Sequence, residues 1–152
     1  MNEMHSAPAT DVRIVEEADG ITYRLGRMVD PAAIAAVYRS VGWTTIGADP
    51  NRLGESLMAC SEVASAWDGD EAVGVARVLS DHHFHAVITG VAVRADRQGK
   101  GIGSRMVEHL MNQNPNLHYH LWTRSRRFSF YSRLGFEPED TAMHRLPPAR
   151  PK

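Results

Sequence analysis

A single cysteine, Cys60, stands among the 152 residues. No disulfide can form within the chain, so its stability has to come from an apolar core. That usage suits a reducing compartment, and a cytoplasmic location is expected. Neither sign of charge is in excess: 17 Lys and Arg face 18 Asp and Glu. The balance excludes a global electrostatic pull toward nucleic acid or an anionic membrane surface. No apolar run approaches the roughly 20 residues of a membrane-spanning helix. The opening MNEMHSAPATD lacks a basic stretch followed by an apolar one, so no secretory leader is expected. Internal repeats and low-complexity blocks are absent as well.

What is present is an ordinary globular composition, 43% hydrophobic and 23% charged,. The length predicts one domain over residues 1–152, with loose tails at about 1–18 and 147–152. Ile21–Val29 is β-branched and aromatic, as a strand requires. Asp30-Pro31 and Asp49-Pro50 are both helix starts, with Asp as the cap and Pro in the first turn. The first helix lines up Ile34, Val37, Tyr38 and Val41 on one face, and the second carries Leu53, Leu57 and Met58. WTTIG between them reads as a loop. Strands are predicted at VASAW, at Ala72–Ser80 and at His85–Val93, the last interrupted by Gly90. A helix to about Asn114, a strand over Leu117–Thr123, a short helix over Arg126–Leu134 and a final hairpin from FEPED and AMHRL complete an α+β order.

The segment VRADRQGKGIGSRMVEHLM places Gly99, Gly101 and Gly103 between a strand and a helix. The first N–H groups of a helix have no intrahelical acceptor and sit at the positive end of its dipole. Bare glycine backbone lets a bulky anion reach them. Arg94, Arg97, Lys100 and Arg105 add positive charge nearby, and Ser104 adds a hydroxyl. A phosphate or pyrophosphate is the expected occupant. The P-loop pattern fails because Gly101 follows Lys100, and a dinucleotide fingerprint needs another spacing and an earlier position.

Gln98-x-x-Gly101-x-Gly103 resembles the Q/R-x-x-G-x-G/A signature of the GNAT superfamily of acetyl-CoA-dependent N-acetyltransferases. FSFYSRLGFEP, Phe128–Pro138, is similar to a second segment of that family, one helix and one strand further on. The resemblance covers Ala72–Pro138, and YRSVGWT near Tyr38 is similar to the first helix of small bacterial members. It implies a mixed, mostly antiparallel sheet flanked by about four helices, with two splayed central strands. It further implies acetyl-CoA as co-substrate, held by the backbone of Val91, Ala92 and Val93 and by Gln98, Gly99, Lys100, Gly101, Ile102, Gly103 and Ser104.

The implied chemistry is direct attack of a neutral primary amine on the acetyl carbonyl through a tetrahedral intermediate. The amine loses a proton and the thiolate gains one. Tyr131 falls where relatives carry the general acid, and a phenol pKa near about 10 keeps that proton at neutral pH. Relatives often have an acidic residue where this chain has Gly90, and an Asn near the position of Arg124. Both are departures. The base is open among His85, His118, His120 and a water chain; imidazoles near pKa ~6.5 suit the task. No cysteine or carboxylate completes a metal set with these histidines or with His82 and His83, so solvated histidines and no metal are expected. Arg124, Arg126 and Arg127 are candidates for the coenzyme's 3′-phosphate or for an acidic substrate, with a solvated helix start as the plainer reading. Cys60 carries no signal of a nucleophile.

The acceptor side falls on the first two helices, with Tyr38 and Trp43 as a candidate wall. A small-molecule amine is the expected acceptor. A protein or peptide acceptor, a catalytically silent acyl-CoA-binding module and a nucleotide-phosphate binder are the alternatives. Relatives are often dimers, so the resemblance also implies a homodimer.

Overall fold

The computed structural model describes residues 12–123 and 127–148. The chain divides into two compact units, Met1–Trp122 and Thr123–Lys152. The first holds a six-stranded sheet in sequential order: β1 (Arg13–Ala18), β2 (Ile21–Leu25), β3 (Glu62–Asp68), β4 (Glu71–Ser80), β5 (His85–Val93) and β6 (His118–His120). Every neighbouring pair is antiparallel except β5 with β6, which run parallel.

Both Asp-Pro starts behave as the sequence predicts. Asp30 accepts from the Ala32 amide at 3.0 Å at the head of α1 (Pro31–Ser40). Asp49 accepts from Asn51 at 3.1 Å and Arg52 at 3.2 Å at the head of α3 (Pro50–Ala59). Between them WTTIG is not all loop, because Thr44–Gly47 closes one helical turn, α2. Helices α1 and α3 cover one face of the sheet, where Ile34, Val37, Tyr38, Leu53 and Leu57 meet Val63, Val75 and Ala92. The other face takes α4 (Ile102–Asn112). Its Met106 and Ile102 lie so close to Gly74 that an added Cβ there would stand 2.8 Å from Met106 Cε and 3.3 Å from Ile102 Cγ2.

Three expectations are corrected. Residues 13–18 are not tail: they form β1, whose Glu16 reaches Arg105 and His109 on α4. Leu117–Thr123 contracts to the three residues of β6. The final hairpin is absent, since the described residues from Gly135 to Pro148 contain no strand. The backbone there gains no pairing because Phe136–Glu139 and Ala142–Leu146 lie mostly exposed. No helix among the described residues is long and apolar enough to cross a membrane.

The second unit carries α5 (Phe128–Ser132). The chain turns back after it: the Gly135 amide donates to Ser132 O at 3.0 Å and the Phe136 amide to Tyr131 O at 3.1 Å. Gly135 has φ +92, the left-handed conformation in which glycine commonly ends a helix,.

Candidate functional site

The site begins with a bulge and a parting of strands. Val75 pairs with Ala92 and Arg77 with Thr89, so one residue of β4, Ala76, faces two of β5, Gly90 and Val91. Gly90 takes φ +62 to make that bulge,. On its other side β5 pairs with β6 only at His85, Ala86 and Val87. From Ile88 to Val93 no strand among the described residues follows on that side. The backbone groups there are available to an extended guest, as on a sheet edge.

The glycine segment continues directly from this open edge. The Gln98 side chain donates to Val93 O at 2.9 Å and so fastens the loop to the end of β5. Gly99 at φ +79 and Gly101 at φ +82 are both left-handed, with open space where a side chain would stand. Gly101 caps α4 without any side-chain hydrogen bond, and no acidic residue occupies the first turn. The amides of Ile102, Gly103 and Ser104 therefore lack intrahelical acceptors and lie at the positive end of the helix dipole. Ile102 contributes only backbone, since its side chain is buried. The same holds for Ala92, which packs in the core beside Val75.

The positive charge is arranged differently from the sequence reading. Arg94 pairs with Glu71 and Asp96, Arg97 with Asp68 at 2.6 Å, and Arg105 with Glu16. Their own carboxylates largely neutralise them. Lys100, exposed at the middle of the loop, is the loop's one cation without a carboxylate partner among the described residues.

Behind the bulge lies a group that sequence reasoning missed. Arg77 is 9% exposed. Its Nη1 donates to Ser56 Oγ at 3.0 Å, its guanidinium carbon lies 5.8 Å from the Tyr38 ring centre, and its buried Nε has no partner. No carboxylate pairs with it among the described residues. The available signal was the lone charge in the apolar strand AVGVARVLS. Tyr38 donates its hydroxyl to Gly90 O at 2.7 Å. Burial pushes its phenol up to about 12, against a downward pull from Arg77, so it remains a donor at any physiological pH. Tyr38 is fully buried, and half-exposed Trp43 stacks over it at 5.6 Å with 12° between planes. Trp43 alone of that predicted wall presents a face to solvent. Cys60, buried beside Arg77, donates its thiol to Ser56 O at 3.3 Å. Burial raises its pKa, so it stays a thiol.

Tyr131 sits on α5, edge-on to Phe130 at 4.8 Å and to Phe136 at 5.9 Å. Burial raises its pKa, with Arg127 opposing, so it holds its proton. Arg124 and Arg126 lie outside the described residues. Arg127 donates its amide to Thr123 Oγ1 at 3.3 Å at the head of α5. The base candidates His85 and His120 lie side by side at the paired end of β5 and β6, with Nδ1 and Nε2 3.0 Å apart. Burial lowers the pKa of His120, and His118 and His85 lower it further.

A model of the GNAT acetyltransferase domain matches residues 59–138. A Glycine max protein named histone acetyltransferase TAP1 is 31% identical over 141 residues, which cover 81% of this chain and 60% of that protein. The chain thus spans less than two thirds of that relative's length. A GNAT-family acetyltransferase of known structure from Streptococcus pneumoniae superposes with TM-score 0.73 at 24% identity, over 85% of this chain and 99% of the other. A PaiA N-acetyltransferase from Thermoplasma acidophilum, solved in complex with coenzyme A, superposes with TM-score 0.62 at 19% identity over 79% and 92%.

Proposed function

Because the chain belongs to the GNAT acetyltransferase family, we propose that it moves an acetyl group from acetyl-CoA to the primary amine of a small molecule. The observation that carries this reading is the continuity of the open β5 edge, Ile88–Val93, with the uncapped N-terminus of α4. An extended, amide-bearing arm pairs with the edge like an added strand. The pyrophosphate joined to it then meets the amides of Ile102, Gly103 and Ser104, with Lys100 as counter-charge. That the relative solved with coenzyme A shares this fold supports acetyl-CoA as the donor.

In this reading the thioester lies near the bulge. The left-handed Gly90 leaves no carboxylate to act as base there. The strand rise puts His85, five residues back along β5, about 16 Å from Gly90,. The amine's proton therefore leaves through water, since neither His85 nor His120 beside it reaches the bulge directly. The FSFYSRLGFEP motif makes Tyr131 the candidate donor to the departing thiolate, and burial raises its pKa so that it keeps the proton to give,. Trp43 offers the acceptor an apolar face.

The test is a panel of primary amines and histone-tail peptides with acetyl-CoA, read by free-thiol release, alongside melting with and without the coenzyme. Acetyl-CoA at 100 times its Kd should stabilise the fold by about 2.7 kcal/mol. Absence of any shift sinks the reading. A shift without turnover on any amine identifies a silent binding module, for which Gly90 speaks. Turnover on peptides alone identifies a protein acceptor, as the name of the soybean relative suggests.

A further inference from the structure

The sequence reading left the histidines of β5 and β6 as separate solvated side chains. The fold brings three of them together. His85 is the register partner of His118, and His120 lies two residues further on, so all three imidazoles stand on one face of the parallel pair,. Their ligand nitrogens all lie within 4.8 Å of one another. Ring centres are 4.0 Å apart for His118 and His120, 5.1 Å for His85 and His120, and 5.5 Å for His85 and His118. Among the described residues no other group joins the set, and all three residues are exposed.

We propose that His85, His118 and His120 form a binding site for a zinc-class divalent ion that pins β5 to β6 at the closed end of the wedge.

Zinc–imidazole bonds of about 2.05 Å in a tetrahedron set the nitrogens roughly 3.3 Å apart. The span from 3.0 Å to 4.8 Å brackets that value. The backbone beneath is already fixed. Asp81 Oδ1 accepts from the amides of His83, Phe84 and His85 at 3.0, 2.9 and 3.1 Å, and the His118 amide donates to Phe84 O at 2.8 Å. Binding therefore orders few degrees of freedom. An all-imidazole set selects zinc, copper or nickel over magnesium and calcium, which want oxygen. Three protein ligands leave the fourth position to water or an exogenous anion. The two strands separate immediately beyond Val87 and His120. An ion here thus holds the apex of the gap at a distance from the thioester, and its role is mechanical.

The full chain, freed of metal by chelation, is titrated with zinc sulfate in a non-chelating buffer at neutral pH, and amide exchange is followed in parallel. Expected are one ion per chain, a raised melting temperature and slower exchange at Ala86 and Tyr119. Cobalt(II) should give the intense visible bands of four-coordination. His118→Gln and His120→Gln should each weaken zinc binding about tenfold or more, while His83→Ala leaves it unchanged. No binding by the parent chain overturns the proposal. So does equal affinity in His118→Gln, or loss in His83→Ala alone, which assigns the ion to the preceding loop. Calcium and magnesium at the same concentration should shift nothing.

Discussion

Substituting alanine for Gly90 tests the bulge directly, because the cost has two separable parts. Gly90 sits at φ +62, and a left-handed backbone costs a residue with a Cβ about 1–2 kcal/mol,. The added Cβ would also stand 2.6 Å from both Tyr38 Oη and Arg77 Nε, and 2.7 Å from Arg77 Nη2. Both groups are buried, so making room for the new atom disturbs their packing. The Tyr38 hydroxyl is held 2.7 Å from Gly90 O, and Arg77 is clamped by Ser56. Relief by shifting them adds overpacking of about 1–3 kcal/mol and weakens a hydrogen bond worth ~1 kcal/mol. The total is about 3–6 kcal/mol, or roughly 6–24 °C in Tm at this chain length. Gly42→Ala is the control: it has φ +82 with nothing within 4 Å of the added atom, so it carries the backbone part alone. Both variants and the parent are melted by circular dichroism. If the two variants lose the same number of degrees, the crowding argument is wrong. A Tyr38→Phe background should return part of the Gly90→Ala loss, because the clashing oxygen is gone.

Tyr131→Phe should lower kcat by about 10²-fold or more while leaving KM for acetyl-CoA near its parent value, as loss of a proton donor does; equal losses in both would recast Tyr131 as a packing residue. Lys100→Ala should raise that KM about fivefold at low ionic strength, the ~1 kcal/mol of an exposed charge, with the effect fading as salt is added; no change at low salt removes Lys100 from the site. Glu16 accepts from His109 at 2.8 Å and pairs with Arg105, and these partners hold its carboxyl below the usual 4.5 despite burial. A depressed pKa confers stability that is complete above the unfolded value and lost as pH falls through the folded one. Glu16→Gln should therefore melt lower than the parent at pH 7 and converge with it in acid, and parallel Tm curves would refute this account.

The parts of the fold governed by neighbours in sequence were legible before the structure. Asp30 and Asp49 announced α1 and α3 because a cap acts within two or three residues. His85–Val93 was bounded correctly by its own β-branched run. RIVEEA was passed over because three of its six residues are charged, and their partners lie across the fold, Glu16 bonding Arg105 at a separation of 89 residues. A local signal was nevertheless there: Asp19-Gly20, at φ 55 and 79, is the tight turn that folds β1 onto β2,. At the site, the glycine loop was readable as an open helix start. The engagement of Arg94, Arg97 and Arg105 by carboxylates was not, nor was the convergence of three histidines, with His85 and His120 separated by 35 residues. Composition records how many charges exist, and only the three-dimensional register decides which of them cancel.

The unpaired stretch of β5 also works as a ruler. Six residues, Ile88 to Val93, span about 20 Å at the rise of a strand,. One end is closed where β6 ends, at His120 opposite Val87, and the other opens on the glycines. A guest must be narrow, extended and notched with amides at peptide-like intervals along that length to fill it from stop to mouth. Shortened thioesters such as acetyl-cysteamine reach the bulge but leave most of the gauge empty, and they should serve as donors only at concentrations far above those that saturate with the full coenzyme.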